Sequence, residues 1–397
     1  MRNLNHKPSL GLIITAILLI IFTSTSVQAI KSETIRWSRE KGGQETHTTS
    51  SDPENLLING NMDELSFYPR PKNHYIAGMW YQWFWTAPHR IPEFIDGGSP
   101  YHQVCHPIPE DGNCANEGNH SQGYILWSGL NFTAGIYQSV PVTPCQMYEF
   151  QAYARNDLST YRSKVGIDPH GTMMPPYVPP DGDDLPNNCP PDGTSACPNP
   201  GVSDPSALPS TITWSAESSP VALTWVSQTV TTEALSDTIT VWTYTAASSE
   251  SPSQSAYWDN ASLKPAPFPE NRLPSPTSWA TTDFITQVTV LQEAGVITVS
   301  WETLEPAFGQ VWYEHTQTHP TTTPAASLYT NYIPLVTRNY RPYPYHATPD
   351  TTPTLTHTAT ITGLASGDKL TIAILSRHHM TDTCTTEVYA PIYVTIP

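Results

Sequence analysis

From Asn55 onward, apolar and polar residues alternate with a period of two in short runs broken by turn-forming residues. Met147 to Arg155 places Tyr148, Phe150, Ala152 and Ala154 on one side and Glu149, Gln151, Tyr153 and Arg155 on the other. That is the pattern of a strand with one buried face. Val221, Leu223 and Trp225 alternate with Ala222, Thr224 and Val226 in the same way, and Thr238 to Thr245 sets Ile239 and Val241 opposite Trp242 and Tyr244. Trp80 and Phe84 fall on the face opposite to Tyr81, Trp83 and Trp85; one row belongs to a core, and the other is either a second aromatic platform or packs under a loop. Alternation resumes nearer the C-terminus in Ile297, Val299 and Trp301, in Val311 and Tyr313, in Leu370, Ile372 and Ile374, and over Val388 to Ile396. No segment sustains a 3.6-residue period. The pattern predicts an all-β protein.

The interruptions define the organisation. Residues 54–264 form a first strand-rich region and 283–397 a second, with a proline-dense linker over 265–282 that reads as an extended spacer. Two long stretches rich in Pro, Gly, Asn, Asp or Thr, about 168–210 and 316–356, read as insertions. Residues 30–53 are polar and aperiodic, a flexible lead-in. Ahead of them, basic Arg2 and Lys7, the apolar run Leu10 to Phe22 and the small residues Val27 and Ala29 have the layout of a secretory signal peptide over 1–29. The apolar run is too short to span a bilayer comfortably, and no later segment is apolar enough to do so, so no membrane span is expected after cleavage.

Composition sharpens this reading. Of 397 residues 40 are proline and only 13% are charged, which excludes a helical bundle or coiled coil. The formal net charge of -17 argues against a partner bound through a phosphate backbone, so no nucleic acid is expected. The six cysteines of an exported chain read as disulfides. Cys105 with Cys114, and Cys189 with Cys197, each close a short turn-rich loop and are expected to pair. Cys145 and Cys384 remain, either joined to each other or as free thiols. His102, Cys105, His106 and Cys114 are residue types that zinc accepts, but export favours the disulfide. His315, His319, His378 and His379 read as surface residues.

Four segments carry a resemblance. Asn55-Leu56-Leu57-Ile58-Asn59-Gly60-Asn61-Met62-Asp63, Gly135-Ile136-Tyr137-Gln138-Ser139-Val140-Pro141-Val142-Thr143-Pro144, Val165-Gly166-Ile167-Asp168-Pro169 and Tyr257-Trp258-Asp259-Asn260-Ala261-Ser262-Leu263 occur in that order. Together they resemble the jelly-roll carbohydrate-binding modules of galactose-binding-like fold found beside bacterial glycoside hydrolases. Met62 stands where those modules carry an aromatic, and Cys145 where they carry a glycine. Val299-Ser300-Trp301, Val311-Trp312-Tyr313 and Gly363-Leu364-Ala365-Ser366-Gly367-Asp368 resemble a fibronectin type III-like or related immunoglobulin-like sandwich, without its usual late tyrosine. Tyr332-Ile333-Pro334-Leu335-Val336 is similar to a segment recurring in exported proteins of Chloroflexota. The resemblance implies a jelly-roll β-sandwich followed by a smaller sandwich. It also implies a structural calcium ion held by Asp63 and Asp259.

Sugars bind by laying apolar C–H faces on aromatic rings while polar groups take the hydroxyls. Tyr153, Trp242 and Tyr244 point away from apolar neighbours, Tyr124-Ile125-Leu126-Trp127 offers one more aromatic on each face, and Trp127, Tyr153, Trp242 and Tyr244 are the candidate carbohydrate-binding residues. The motifs of zinc proteases, serine hydrolases and P-loop enzymes are missing. The expected function is non-catalytic binding of a polysaccharide or cell-surface glycan by a secreted or surface-attached protein. The alternatives are a structural or adhesive envelope protein that binds other proteins and, more remotely, a divergent carbohydrate hydrolase.

Overall fold

The computed structural model describes residues 53–68, 74–86, 93–96, 115–116, 118, 120–126, 132–156, 161–173, 208–218, 224–247, 254–276, 283–315 and 343–397. All lie within one compact unit, Thr48–Pro397. The expected signal peptide, nearly all of the lead-in, Trp127, and Cys105, Cys114, Cys189 and Cys197 fall outside the described residues.

The protein is all β, as the alternation predicts. The first region contributes β1 (Leu65–Tyr68), β2 (His74–Ala77), β3 (Tyr81–Thr86), β4 (Glu93–Asp96), β5 (Gln122–Leu126), β6 (Phe132–Pro141), β7 (Met147–Asn156), β8 (Arg162–Asp168), β9 (Thr213–Trp214), β10 (Val226–Glu233), β11 (Thr238–Ala247) and β12 (Gln254–Ala266). β1 and β2 pair with each other, and the rest form two five-stranded antiparallel sheets, β10-β7-β12-β5-β4 and β3-β6-β11-β8-β9. Inward residues of both sheets make one core, with Phe150, Trp258, Tyr124, Ile167, Ile239, Val241, Trp80 and Phe84 among its members. Large residues sit beside small ones: Trp258 is opposite Ala154 across the β12–β7 pair. β7 follows the predicted phase, with Tyr148, Phe150, Ala152 and Ala154 buried. Of the strand expected over 221–226, residues 221–223 lie outside the described residues; β10 begins at Val226, and its core face is Gln228 and Val230.

Three of the four motif segments bind one another. The Asn55 amide donates to Ala261 O at 2.9 Å and its Oδ1 accepts from Leu263 N at 2.9 Å. Gln138 clasps the backbone of Ile58, accepting from its N–H at 2.9 Å and donating to its carbonyl at 3.0 Å. A break in register between Asp259 and Ser262 lets Ala261 N reach Gly60 O at 2.7 Å. The opening segment is therefore fastened to the closing strand by polar groups, which explains why Asn, Gln and Gly stand at those positions.

The second region contains β13 (Ile285–Glu293), β14 (Val296–His315), β15 (Tyr345–His346), β16 (Thr354–Thr362), β17 (Lys369–Met380) and β18 (Thr383–Thr395). The first half of β14 pairs with β13 and β16, and its second half with β15 and β17, to which β18 adds. The long strand thus belongs to both layers around a core of Ile297, Val299, Trp301, Val311, Leu370, Ile372 and Ile374. β15 and the start of β16 lie inside the stretch expected as an insertion.

The proline-dense segment is not an open spacer. β12 runs on to Ala266, a 3-10 turn follows at Pro269–Asn271, and Phe268 and Leu273 are buried with Cys145, Phe308, Trp312, Ala373, Leu375 and Val388. This third core joins the two strand-rich regions. Gln310 is fully buried in it, accepting from Leu273 N at 2.8 Å and Trp312 Nε1 at 2.6 Å and donating to Asn271 O and Ala347 O at 2.8 Å. Cys145 and Cys384 form a disulfide at the same junction, with Cα atoms 5.6 Å apart. Beside it, Arg377 makes a bidentate pair with Glu233 at 2.5 and 2.6 Å.

Candidate functional site

The sheet β3-β6-β11-β8-β9 carries a second aromatic layer on the face turned away from the main core. Cross-strand pairing aligns Tyr81, Tyr137, Trp242, Gly166 and Trp214 in one row, and the next row sets Tyr244 beside Lys164. Neighbouring side chains of one row lie close enough to touch. Tyr81 stacks on Tyr137 at 5.5 Å and Tyr137 on Trp242 at 4.5 Å, while Trp83 meets Tyr244 at 5.6 Å and Tyr244 meets Trp214 edge-on at 5.5 Å.

This layer is not solvated throughout, which corrects the expectation for Trp242. Trp242 is 0% exposed and clusters with Trp83, Tyr137 and Ile212, and its Nε1 has no hydrogen-bond partner among the described residues. Residues 208–214 pack against this face through Leu208, Ile212 and Trp214. Gly166 makes this possible: a Cβ there would come within 2.6 Å of both Ile212 and the Trp214 ring. Burial pushes the Tyr137 hydroxyl up to about 12, with Tyr81 adding to the shift.

Among the described residues, this face holds a cavity of about 370 Å³ lined by Lys164, Leu208, Pro209, Ser210, Ile212, Trp214 and Tyr244. Trp214 and Tyr244 are half-buried. The Lys164 ammonium sits over both rings, 4.7 Å from the Trp214 centroid and 4.4 Å from that of Tyr244. Burial lowers its pKa, opposed by the more distant Glu217, whose carboxylate is engaged by Arg162 at 3.2 Å. Burial also raises the Tyr244 hydroxyl, against a hydrogen bond from Thr133 and with Glu217 adding to the rise.

Of the four candidate sugar-binding residues, Tyr244 lines this cavity and Trp242 lies beneath it. Tyr153 is half-buried on β7 in the other sheet, paired across to Ser227 and Asp259, and Trp127 lies outside the described residues. Sequence reading missed Trp214 and Lys164. The available signal was Gly166, since a glycine inside a strand marks a close approach by another segment.

The two acids expected to hold calcium meet the same short stretch of chain. Asp63 accepts from His120 N at 3.1 Å and from Asn61 Nδ2 at 2.9 Å; Asp259, fully buried, accepts from Asn116 N at 2.6 Å. Gly118 has φ +72°, and a Cβ there would collide with the Asp63 carboxylate. Asn61 Oδ1 is buried with no hydrogen-bond partner among the described residues. Among the described residues, no three His, Cys, Asp or Glu side chains gather into a metal-binding group, so carboxylates alone do not make a shell. Also among the described residues, no helix is long and apolar enough to cross a membrane.

In comparisons with known proteins, no family model and no curated protein matches this chain. Solved structures that it is similar to include TmCBM61 in complex with beta-1,4-galactotriose, at 10% identity and TM-score 0.31, covering 53% of this chain and 99% of that one. A family 16 carbohydrate-binding module matches at 18% identity and TM-score 0.20, covering 38% and 79%. A beta-1,2-glucanase from Parabacteroides distasonis matches at 9% identity and TM-score 0.26, covering 87% of this chain and 40% of that one.

Proposed function

We propose that the protein is an exported, non-catalytic polysaccharide-binding protein whose site is the cavity between Trp214 and Tyr244. The observation that carries this reading is the pair of half-buried rings, held on paired strands, with an ammonium and the Ser210 hydroxyl beside them. Rings supply the stacking surface for a sugar, and the polar groups fix its hydroxyls. A glycosidase needs two carboxylates flanking the scissile bond. The groups gathered here suit holding a sugar rather than cleaving one. The Cys145–Cys384 disulfide supports export, since such bonds persist in oxidising compartments. The division of β14 between a three-stranded and a four-stranded layer supports the fibronectin type III-like reading of 283–397.

Calcium belongs to the same proposal as a structural ion. Asp63 and Asp259 would hold it, and the partnerless Asn61 Oδ1 offers a further oxygen; backbone carbonyls and water complete a shell of six to eight. The ion would fasten the opening segment to the closing strand. The test is affinity electrophoresis of the mature protein through a panel of polysaccharides, with and without EDTA, alongside thermal unfolding. Retardation by at least one polymer is expected, with a melting temperature lowered by EDTA. No retardation in any gel overturns the binding reading, and an unchanged melting temperature overturns the calcium assignment.

The envelope-adhesion reading has one observation in its favour. The two strand-rich regions are locked together by a disulfide, a bidentate ion pair and a shared core, as a rigid spacer would be. Retention of a specific envelope protein, with no polysaccharide bound, would select it.

A further inference from the structure

We infer that this cavity selects an acidic sugar residue, and that Lys164 is the specificity-determining group. The inference rests on the polysaccharide-binding reading and goes beyond it by naming the ligand's chemistry.

A lysine ammonium is strongly hydrated and ordinarily keeps to water or to a carboxylate. Lys164 does neither fully. Its stem rises from the outer face of β8, and its ammonium is drawn over the faces of Trp214 and Tyr244. Among the described residues, no carboxylate stands within ion-pair distance of it: Glu217, the acid acting on it, is engaged by Arg162. The rings return part of the lost hydration through their quadrupoles. A group of opposite charge would return more, and the cavity leaves room for one beside the rings.

A sugar ring stacked on Trp214 or Tyr244 would carry its substituents past the ammonium. A neutral hydroxyl there gains one hydrogen bond. A carboxylate gains a charge-assisted bond in a partly desolvated place, roughly twice as strong. The shared ligand chemistry is therefore an anionic substituent on a pyranose, supplied by a uronate carboxylate or a sulfate ester.

The test compares uronic-acid polymers (polygalacturonate, alginate, hyaluronan) with their carboxyl-reduced counterparts, which keep the linkages and lose the charge. Dextran sulfate against dextran forms the second arm. Wild type and Lys164→Gln are run side by side at about 0.15 M salt, where the Debye length is about 8 Å and the chain's net negative charge is largely screened. Near-ultraviolet circular dichroism confirms that the variant keeps its fold. The expected result is retention of at least one acidic polymer about tenfold or more above its neutral counterpart, a ratio that K164Q brings close to one. Retention confined to the sulfated arm assigns the acid group to a sulfate ester and supports the inference. Equal or better binding of the neutral forms, unchanged in K164Q, overturns the inference and leaves polysaccharide binding standing. Retention of no polymer of any charge overturns both.

Discussion

Cys145 has φ +62°, in the left-handed region that favours glycine, the residue that the resembled modules carry at that place. Here the side chain is needed, because its sulfur reaches Cys384 across 239 residues of chain. Backbone cost and cross-link gain can be separated by mutation. Cys384→Ala should lower stability by about 2–4 kcal/mol, the usual range for a lost disulfide. Adding Cys145→Gly should recover about 1 kcal/mol through the freed backbone. Urea denaturation of the two variants checks this; a double variant less stable than C384A would contradict it. His378 makes a different residue-scale point. Read as a surface residue from sequence, it is 6% exposed and stacks on Phe284 at 3.8 Å, and its Nε2 faces the Glu387 carboxylate at 3.9 Å. Burial lowers its pKa below the ordinary 6.5; Glu387 and Glu305 oppose the shift and Arg377 adds to it. The unfolded chain therefore takes up this proton at higher pH than the folded one. Stability attributable to the neutral ring is complete above 6.5 and declines as the pH falls from there toward the lowered folded value. His378→Gln should flatten the stability profile in that window; an unchanged slope would show that another group titrates.

At the scale of elements, alternation gave the right phase and the wrong surroundings. β11 does turn Ile239 and Val241 to the core and Trp242 and Tyr244 away from it. Period two tells which side of a sheet a residue faces. It does not tell what lies over that side, and here the 208–214 segment covers Trp242 and leaves Tyr244 at the edge of a cavity. The start of β10 is hard to read from sequence because its exposed face is Ser and Thr and its core face only Gln228 and Val230, too weak a stripe to set a boundary. The buried ring should betray itself energetically. Trp242→Ala empties a core position and should cost about 3–5 kcal/mol in thermal or urea unfolding. Trp214→Ala, at a half-buried site on a two-residue strand, should cost clearly less. Equal losses would mean that the 208–214 segment is as deeply packed as the sheet beneath it.

For the whole molecule, proline density misled. A segment rich in proline reads the same whether it spans open solvent or lies against a surface, because only φ is fixed. Phe268 and Leu273 within it were the legible sign of burial. Packed there, they help join the two strand-rich regions, and the Arg377–Glu233 pair stands at the same junction with side chains 9% and 17% exposed. Removing one charge of such a pair leaves the other buried. Arg377→Met should therefore cost about 3–5 kcal/mol, and Glu233→Gln added to it should recover most of that loss. No recovery would assign the loss to packing rather than to charge.

The most direct measurement for the binding site is a titration of a retained polysaccharide into wild type, Trp214→Ala and Tyr244→Ala, each confirmed folded by near-ultraviolet circular dichroism. If the cavity between these rings is the site, both variants lose about tenfold or more in affinity, which is about 1.4 kcal/mol or more. Affinity unchanged in both folded variants would place the glycan elsewhere and return Trp214 and Tyr244 to a purely structural role.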